Sequence, residues 1–257
     1  MSVVGVDACK QGWIAIELAY LEEPVAHFLE HIRDLAALAP RAEVIAIDIP
    51  IGLPVAGRRQ ADLEAKSLLG PRASSVFFTP PREALLQETH ALATRMSAEL
   101  TGVGMSQQSY ALSAKILQVD AWLGDAPCRV VEVHPEVSFA EMLGHPGAAP
   151  KRRWAGMVER LNALADEGIL IDGVTGVAAH RAAIDDMFDA AAAARTARRV
   201  FAGKQPRPRG RPAGCSPASH ARSRTRRRSS SRASPPPSGP DSLSDRAPLS
   251  GPPDEMA

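Results

Sequence analysis

Acidic side chains at four places along the chain are the residues best suited to metal-dependent chemistry. Three lie within or at the end of apolar, β-rich runs, and the fourth place is a close group in an Ala-rich run: Asp7, Asp48, Glu132, and Asp185 with Asp186 and Asp189. An ionised carboxylate is costly to bury in an apolar run unless a cation pairs with it. Carboxylates from three strands and one helix form a suitable ligand set for hard divalent cations such as Mg²⁺ or Mn²⁺.

The acidic group in the Ala-rich run has helical spacing. Asp186 and Asp189 are three residues apart, and Asp185 and Asp189 are four apart, so each pair shares a helix face. A solvated acidic start of a helix, favoured by the helix dipole, is the alternative interpretation. Together with Asp7 and Asp48, the spacing favours metal ligation by Asp186 and Asp189, with Asp185 as an alternative ligand.

Asp7 and Asp48 each stand at the end of a predicted strand, just before turn residues. A structural interpretation is available for both: Asp7 as the cap of a β-turn, and Asp48 as an acceptor for nearby backbone amides. An Asp followed by such a turn also opens the actin-like kinases and ATPases, where the turn cradles phosphate. Functional loops often follow a rigid strand, and we interpret both residues as catalytic metal ligands.

Glu132, His134 and Glu136 alternate along the chain. If this segment is extended, all three side chains point to one side. We predict Glu132 as a catalytic residue and His134 as a proton shuttle or a substrate contact. A hydrogen-bonded structural role is the alternative for His134.

Basic residues lie in or beside the same segments and could neutralise phosphate oxygens near the metals. The set consists of Arg58, Arg59, Lys66, Arg72, Arg82 and Lys151. From it we take Arg58, Lys66, Arg72 and Lys151 as candidate ligands of a substrate phosphate. Ordinary surface charge is the alternative for each one taken singly.

The chain divides into two unlike parts, 1–203 and 204–257. The second part holds 11 of the 22 prolines, 11 serines and almost no large apolar residues, so we predict a disordered tail. The first part has a net charge of −6 and the second a net charge of +7. The arginine run at 222–228 could attract nucleic acid, but a solvated segment is the preferred interpretation.

Several features indicate a cytoplasmic protein. We find no basic segment ahead of the first apolar run, and no stretch reaches the roughly 18 apolar residues of a membrane span. Cys9, Cys128 and Cys215 are too few and too scattered for a disulfide framework or a zinc site.

The elements that must position these residues follow a βββαβ order, then helices, a strand and further helices. We predict strands at 3–7, 13–20, 24–29, 43–49 and 128–133. We predict helices at 31–39, 58–70, 83–100, 106–123, 151–167 and 177–202. This order predicts an α/β fold with a mixed five-stranded sheet.

The order of the strands and the position of the acids resemble the RNase H-like fold of RuvC-type resolvases and YqgF-type nucleases. More closely, the chain resembles domain-of-unknown-function family 429, whose members are described as predicted RNase H-like nucleases. The residues that carry the resemblance are GVDACKQGW (5–13), AIDIPIGLP (46–54), ADLEAKSLLGPRASSVFFTPPR (61–82), EVHPEVSFAEMLG (132–144), Lys151, Gly156, Glu159, Arg160 and DDMFDA (185–190). The resemblance covers 1–203. It implies two metal ions held by Asp7, Asp48 and the acidic pair Asp186 and Asp189.

We therefore expect a metal-dependent nuclease whose substrate is nucleic acid, with RNA and DNA both open. A nucleotide-binding protein of the actin-like group is one alternative. It predicts a second phosphate loop with a second Asp, and the sequence contains no such duplication. A non-catalytic RNase H-like binding protein is the other alternative.

Overall fold

A computed structural model describes residues 1–38, 40–147, 149–171 and 176–204. Its centre is one sheet of five strands in the order β3-β2-β1-β4-β5. The strands are β1 (Ser2–Cys9), β2 (Gly12–Ala19), β3 (Val25–Leu29), β4 (Ala42–Ile47) and β5 (Arg129–Glu132). The β1–β2 and β2–β3 pairs are antiparallel, whereas β1–β4 and β4–β5 are parallel. The prediction of a mixed five-stranded sheet is confirmed.

Helices cover both faces of the sheet. They are α1 (Leu35–Leu38), α2 (Gln60–Leu69), α3 (Arg82–Leu85), α4 (His90–Thr101), α5 (Gln107–Ala111), α6 (Ser113–Trp122), α7 (Pro135–Leu143), α8 (Trp154–Asp166), α9 (Val177–Arg181) and α10 (Ile184–Lys204). Three short 3-10 turns lie at Ile32–Asp34, Gly70–Ser75 and Leu123–Asp125. Within the described ranges, no helix is both long enough and apolar enough to span a membrane.

The alternation of side chains along each strand divides the core into two layers. Val3, on β1, packs with the core that includes α7, α8 and α10. Val4 and Val6 point the other way, toward the core that includes α6. Odd-numbered residues of β1 and even-numbered residues of β4 therefore face α10, which places Gly5, Asp7 and Asp48 on that side.

Several helix boundaries differ from the predictions. The helix predicted at 83–100 is two helices, because Thr89 caps α4 by accepting a hydrogen bond from the Leu92 amide at 3.3 Å. The helix predicted at 106–123 is likewise α5 and α6, with Ser106 as the cap of α5. The helix predicted at 177–202 is interrupted at Ala182, whose backbone is extended.

Helix α7 was missed by the sequence analysis. The alternation of Glu132, His134 and Glu136 fits an extended segment, but the chain turns helical at Pro135. Proline suits the first turn of a helix, because its fixed φ is helical and its missing N–H would have no partner there. The predicted disordered tail lies outside the described residues, apart from Lys204, the last residue of α10.

Helix α10 lies directly on β1. Five consecutive alanines, Ala190–Ala194, are fully buried at the contact. A Cβ atom on Gly5 would overlap the backbone nitrogen of Ala194 and the carbonyl oxygen of Ala190. Helix and strand therefore touch backbone to backbone, with no side chain between them at this point.

We predict that Gly5→Ala destabilises the fold by about 1–3 kcal/mol or more, because an added methyl group in a packed core forces the backbone apart. The measurement is chemical denaturation of both proteins. Gly124→Ala is the matched control, since a Cβ there has no atom within 4 Å. Equal stability of the two variants would contradict the contact between α10 and β1.

Candidate functional site

Asp7 and Asp48 lie side by side at the same edge of the sheet. Asp7 and Asp48 directly follow the last pair of the parallel β1–β4 ladder, Val6 and Ile47, and the Asp48 amide donates to the Val6 carbonyl at 2.9 Å. Asp7 is 7 % exposed, and its Oδ1 accepts from the Ala8 amide at 2.7 Å. Asp48 is half-buried. This bond fits the interpretation of Asp7 as a turn cap, but it occupies only one of the two carboxylate oxygens.

Helix α10 brings its acids to this edge. Asp189 is 4 % exposed, and its Oδ1 is buried without a hydrogen-bond partner among the described residues. Asp186 is half-buried, and its Oδ2 accepts from the Ala183 amide at 3.1 Å, which is the return half of a capping box. Asp185 is buried and lies 3.3 Å from the Arg152 Nε.

The electrostatics show that Asp48, Asp186 and Asp189 all act on Asp7. Burial raises the pKa of Asp7 well above its ordinary value, and Asp48, Asp189 and Asp186 raise it further. Burial and the charge of Asp189 likewise raise the pKa of Asp48. Burial is also the main cause that raises the pKa of Asp189 and of Asp186. We call Asp7, Asp48, Asp186 and Asp189 the carboxylate cluster.

Lys151 is the cation that contacts the carboxylate cluster. Its Nζ donates to Asp189 Oδ2 at 2.5 Å and lies 3.8 Å from Asp185 Oδ2. Burial alone would lower the pKa of Lys151, but Asp189, Asp185 and Asp7 together raise it. The lysine is therefore charged at neutral pH.

Glu132 does not join the carboxylate cluster. It follows Val131 on β5, and Val131 packs toward α10, so the Glu132 side chain leaves the strand on the opposite side. Arg59 holds both of its oxygens, with Nη1 at 2.8 Å from Oε2 and Nη2 at 2.6 Å from Oε1. The Ile51 amide also donates to Oε2 at 2.8 Å.

Arg59 is a site residue that the sequence does not single out, since Arg58 is the neighbour predicted as a phosphate ligand. Besides Glu132, it pairs with Asp62 at 2.5 Å, and Asp62 also accepts from the Thr79 amide at 2.7 Å. Arg58 instead lies over the Phe78 ring at 4.4 Å. The sequence signal that favours Arg59 is Asp62, one helical turn further on.

Two other predicted phosphate ligands already donate hydrogen bonds to backbone carbonyls. Lys66 Nζ donates to the carbonyls of Ala73, at 2.9 Å, and Val76. Arg72 Nη1 donates to the carbonyls of Gly147, at 2.9 Å, and Ala149, at 3.2 Å. Of the four basic residues predicted as phosphate ligands, the structure brings Lys151 to the carboxylate cluster.

The segment of Glu132, His134 and Glu136 is extended only as far as His134, because α7 begins directly after it, yet all three residues line one cavity. Glu136 turns inward and forms a buried ion pair with Arg160, at 2.7 and 2.9 Å from its Nη2. His134 is partly exposed, but its Nδ1 is buried and has no hydrogen-bond partner among the described residues. Burial lowers the pKa of His134, so its ring is neutral at pH 7.

A cavity of about 200 Å³ connects these groups. Its charged and titratable lining consists of Asp48, Arg59, Asp62, Glu132, His134, Glu136, Lys151 and Asp189. Glu132 and His134 thus share a cavity with the acids without touching them. The cavity is the place where a reacting group could meet both the carboxylates and a neutral imidazole.

The carboxylate cluster fits a divalent cation by its chemistry. Its donors are the hard oxygens that Mg²⁺ and Mn²⁺ prefer, and Asp189 keeps one buried oxygen without a partner. In the described part of the chain, no three His, Cys, Asp or Glu side chains already have the spacing of a metal site. The Lys151 ammonium instead supplies the positive charge next to Asp189.

The family model described as "Protein of unknown function (DUF429)" matches residues 5–213. The chain belongs to this family. The DUF429 match includes every residue of the carboxylate cluster and Lys151. No curated protein and no solved structure matches the chain.

We predict that Asp7→Asn raises the thermal midpoint of the metal-free protein at pH 8, because one of four repelling carboxylates is removed. The pKa of Asp7 is raised in the folded state, so its ionisation costs stability as the pH rises through the folded value. The gain should therefore shrink toward pH 5. About 1 kcal/mol corresponds to a shift of roughly 2–4 °C in a domain of this size.

The control for this experiment is Asp166→Asn, which changes an exposed carboxylate at the end of α8. Thermal melts in EDTA at both pH values compare the two variants with the unaltered chain. A lower midpoint of Asp7→Asn at pH 8 would show that Asp7 is paired rather than repelled.

We also predict that Arg59→Met destabilises the fold by about 3–5 kcal/mol, because it leaves the buried Asp62 carboxylate without its cation. Arg58→Met is the adjacent control and should cost about 1 kcal/mol or less, the value of an exposed cation–π contact. Urea denaturation measures both. Equal losses would argue against the buried network around Arg59.

Proposed function

We propose that this protein is a metal-dependent phosphodiesterase acting on nucleic acid. The carboxylates of Asp7, Asp48, Asp186 and Asp189 would hold Mg²⁺ or Mn²⁺, with two ions as the number that the RNase H-like resemblance implies. The observation that carries the proposal is the meeting of α10 with the ends of β1 and β4, which gathers these acids from distant parts of the chain.

The position of the acids supports a nuclease of the RNase H-like class. In that class, an Asp on the first strand, an acid on the fourth strand and an acidic pair on the last helix hold the metal ions. Here Asp7 lies on β1, Asp48 directly follows β4, and Asp186 and Asp189 lie on α10, the last helix described. The sequence motifs that contain these acids also resemble those of the family described as predicted RNase H-like nucleases.

Hydrolysis of a phosphodiester adds water at phosphorus and breaks one P–O bond, which leaves a phosphomonoester and a hydroxyl group. Bound divalent cations at such carboxylates polarise the phosphoryl oxygens and make water a better nucleophile. Asp7, Asp48 and Asp189 would hold these cations, and Asp48 and Asp189 also line the cavity. The substrate phosphate would then lie in the cavity, beside Asp48 and Asp189.

His134 is the better proton acceptor of the two predicted candidates. Its Nδ1 has no partner in the described part of the chain, and its lowered pKa keeps it neutral and able to accept a proton at pH 7. Glu132 is held on both oxygens by Arg59. It also accepts from the Ile51 amide, so its role is to position the segment that follows Asp48.

The charge of the domain favours a short or structured substrate over a long duplex. Residues 1–203 have a net charge of −6, and Lys66 and Arg72 spend hydrogen bonds on backbone carbonyls. Tight binding along a duplex requires many unpaired cations on one surface. We further propose a cytoplasmic location, because the sequence holds only three widely spaced cysteines and so lacks the pattern of a disulfide framework.

The test is cleavage of a labelled panel by the full chain, with Mg²⁺ or Mn²⁺ and with EDTA. The panel contains single-stranded RNA, single-stranded DNA, an RNA–DNA hybrid, duplex DNA and a four-way junction. We expect metal-dependent cleavage of at least one member and a loss of at least about 100-fold in Asp7→Asn, equivalent to about 2.7 kcal/mol of barrier.

Asp166→Asn is the matched control and should cleave like the unaltered chain, because it leaves the carboxylate cluster untouched. Cleavage that persists in Asp7→Asn would mean a contaminant or another site. No cleavage of any panel member at either metal would overturn the assignment to nucleic acid.

A further inference from the structure

We infer that the Lys151 ammonium is a built-in cation of the carboxylate cluster, so that the chain binds one divalent cation there rather than two. This inference rests on the proposed function, because it concerns the same carboxylates. It lowers the expected number of metal ions from two to one, and the Lys151 ammonium supplies positive charge in place of the second ion.

The contacts of Asp189 carry the first step. Its Oδ2 accepts from Lys151 Nζ at 2.5 Å, whereas its Oδ1 is buried without a partner in the part of the chain that the structure describes. Asp189 also lines the cavity, at 4 % exposure. One oxygen is thus committed to the lysine, and one remains available for a second cation.

The charges of the site carry the second step. Four carboxylates form the cluster, while Asp185 is shared with Arg152 at 3.3 Å. With Lys151 in place, one divalent cation leaves the cluster one charge negative, and two divalent cations would make it one charge positive. Without the lysine charge, two divalent cations balance four carboxylates. Beside Lys151, a second divalent cation would therefore exceed the charge of the four carboxylates, and like charges repel strongly in a partly buried site.

The fixed position of Lys151 carries the third step. Arg72 holds the carbonyls of Gly147 and Ala149, and the Pro150 carbonyl packs so closely on α8 that a Cβ at Gly156 would overlap it. The Arg153 amide donates to the same Pro150 carbonyl at 2.9 Å. The backbone on both sides of Lys151 is therefore anchored, which distinguishes it from a mobile surface lysine.

A buried ion pair supports that anchor from beneath. Arg160, at 1 % exposure, donates to the Gly156 carbonyl at 3.1 Å and to the Ala149 carbonyl at 3.5 Å. Glu136 on α7 balances its charge. Such a pair is costly to bury, so its place beneath the segment that presents Lys151 argues for a positioning role.

The test counts Mn²⁺ ions bound to the full chain, by titration calorimetry and by the electron paramagnetic resonance signal of free Mn²⁺. Ions that still bind to Asp7→Asn are subtracted, so that only the carboxylate cluster is counted. We expect one Mn²⁺ for the unaltered chain. We expect two for Lys151→Met, with the first bound at least tenfold more tightly.

Arg152→Met is the matched control, because Arg152 is the next residue and also pairs with Asp185, but its side chain is 84 % exposed. It should bind one Mn²⁺ like the unaltered chain. Lys151→Arg keeps the charge and should also bind one. In EDTA, Lys151→Met should melt below the unaltered chain and recover when Mn²⁺ is added, since metal then replaces the lost cation.

Two Mn²⁺ ions on the unaltered chain, or the same number and affinity in Lys151→Met, would overturn the role of Lys151 and leave the proposed function standing. No Mn²⁺ on either protein would overturn both. If Lys151→Met fails to fold without metal, the count on the unaltered chain decides the question alone.

Discussion

The close approach of α10 to β1 is the contact on which the site depends. Gly5 has no side chain and the alanines at 190–194 have only methyl groups, so the helix approaches β1 until backbone atoms touch at Gly5. The next turn toward the start of α10 then reaches the end of β1, where Asp189 meets Asp7 and Asp48. A larger residue at the contact would lift the helix and separate the acids, although none of the acids would have changed.

The close approach of the acids makes their charged forms repel one another, and basic residues of the site offset part of this repulsion. Burial raises the pKa of all four carboxylates, and the neighbouring acids raise that of Asp7 and Asp48 further. Lys151 neutralises part of the negative charge by pairing with Asp189. Its segment is anchored by Arg72 and by the buried ion pair of Arg160 with Glu136. A second network, built on Arg59, fixes Glu132 and Asp62, which also line the cavity.

Much of the fold was readable because the strands are unusually apolar and end in conspicuous acids. Asp7 and Asp48 interrupt runs of valine and isoleucine, and the spacing of Asp186 and Asp189 defines one helix face. The start of α7 was hidden, because an alternating polar pattern also fits a strand until Pro135 is given its helical role. The partners of Glu132 and Lys151 come from segments far away in sequence, and periodicity carries no information about such contacts. The choice between Arg58 and Arg59 depended on where α2 begins, and sequence patterns locate helix boundaries poorly.

The long sequence distance between β1 and α10 has a consequence for the order in which the chain folds. Asp7 lies on β1, the first strand described, whereas Asp189 lies on α10, the last helix described. The sheet can pair before that helix docks, but the complete carboxylate cluster cannot exist until it does. Non-local contacts of this kind form late, because a long loop must close before they are rewarded. The complete cluster therefore assembles only with the finished domain, and an unfolded chain carries these acids far apart along its length.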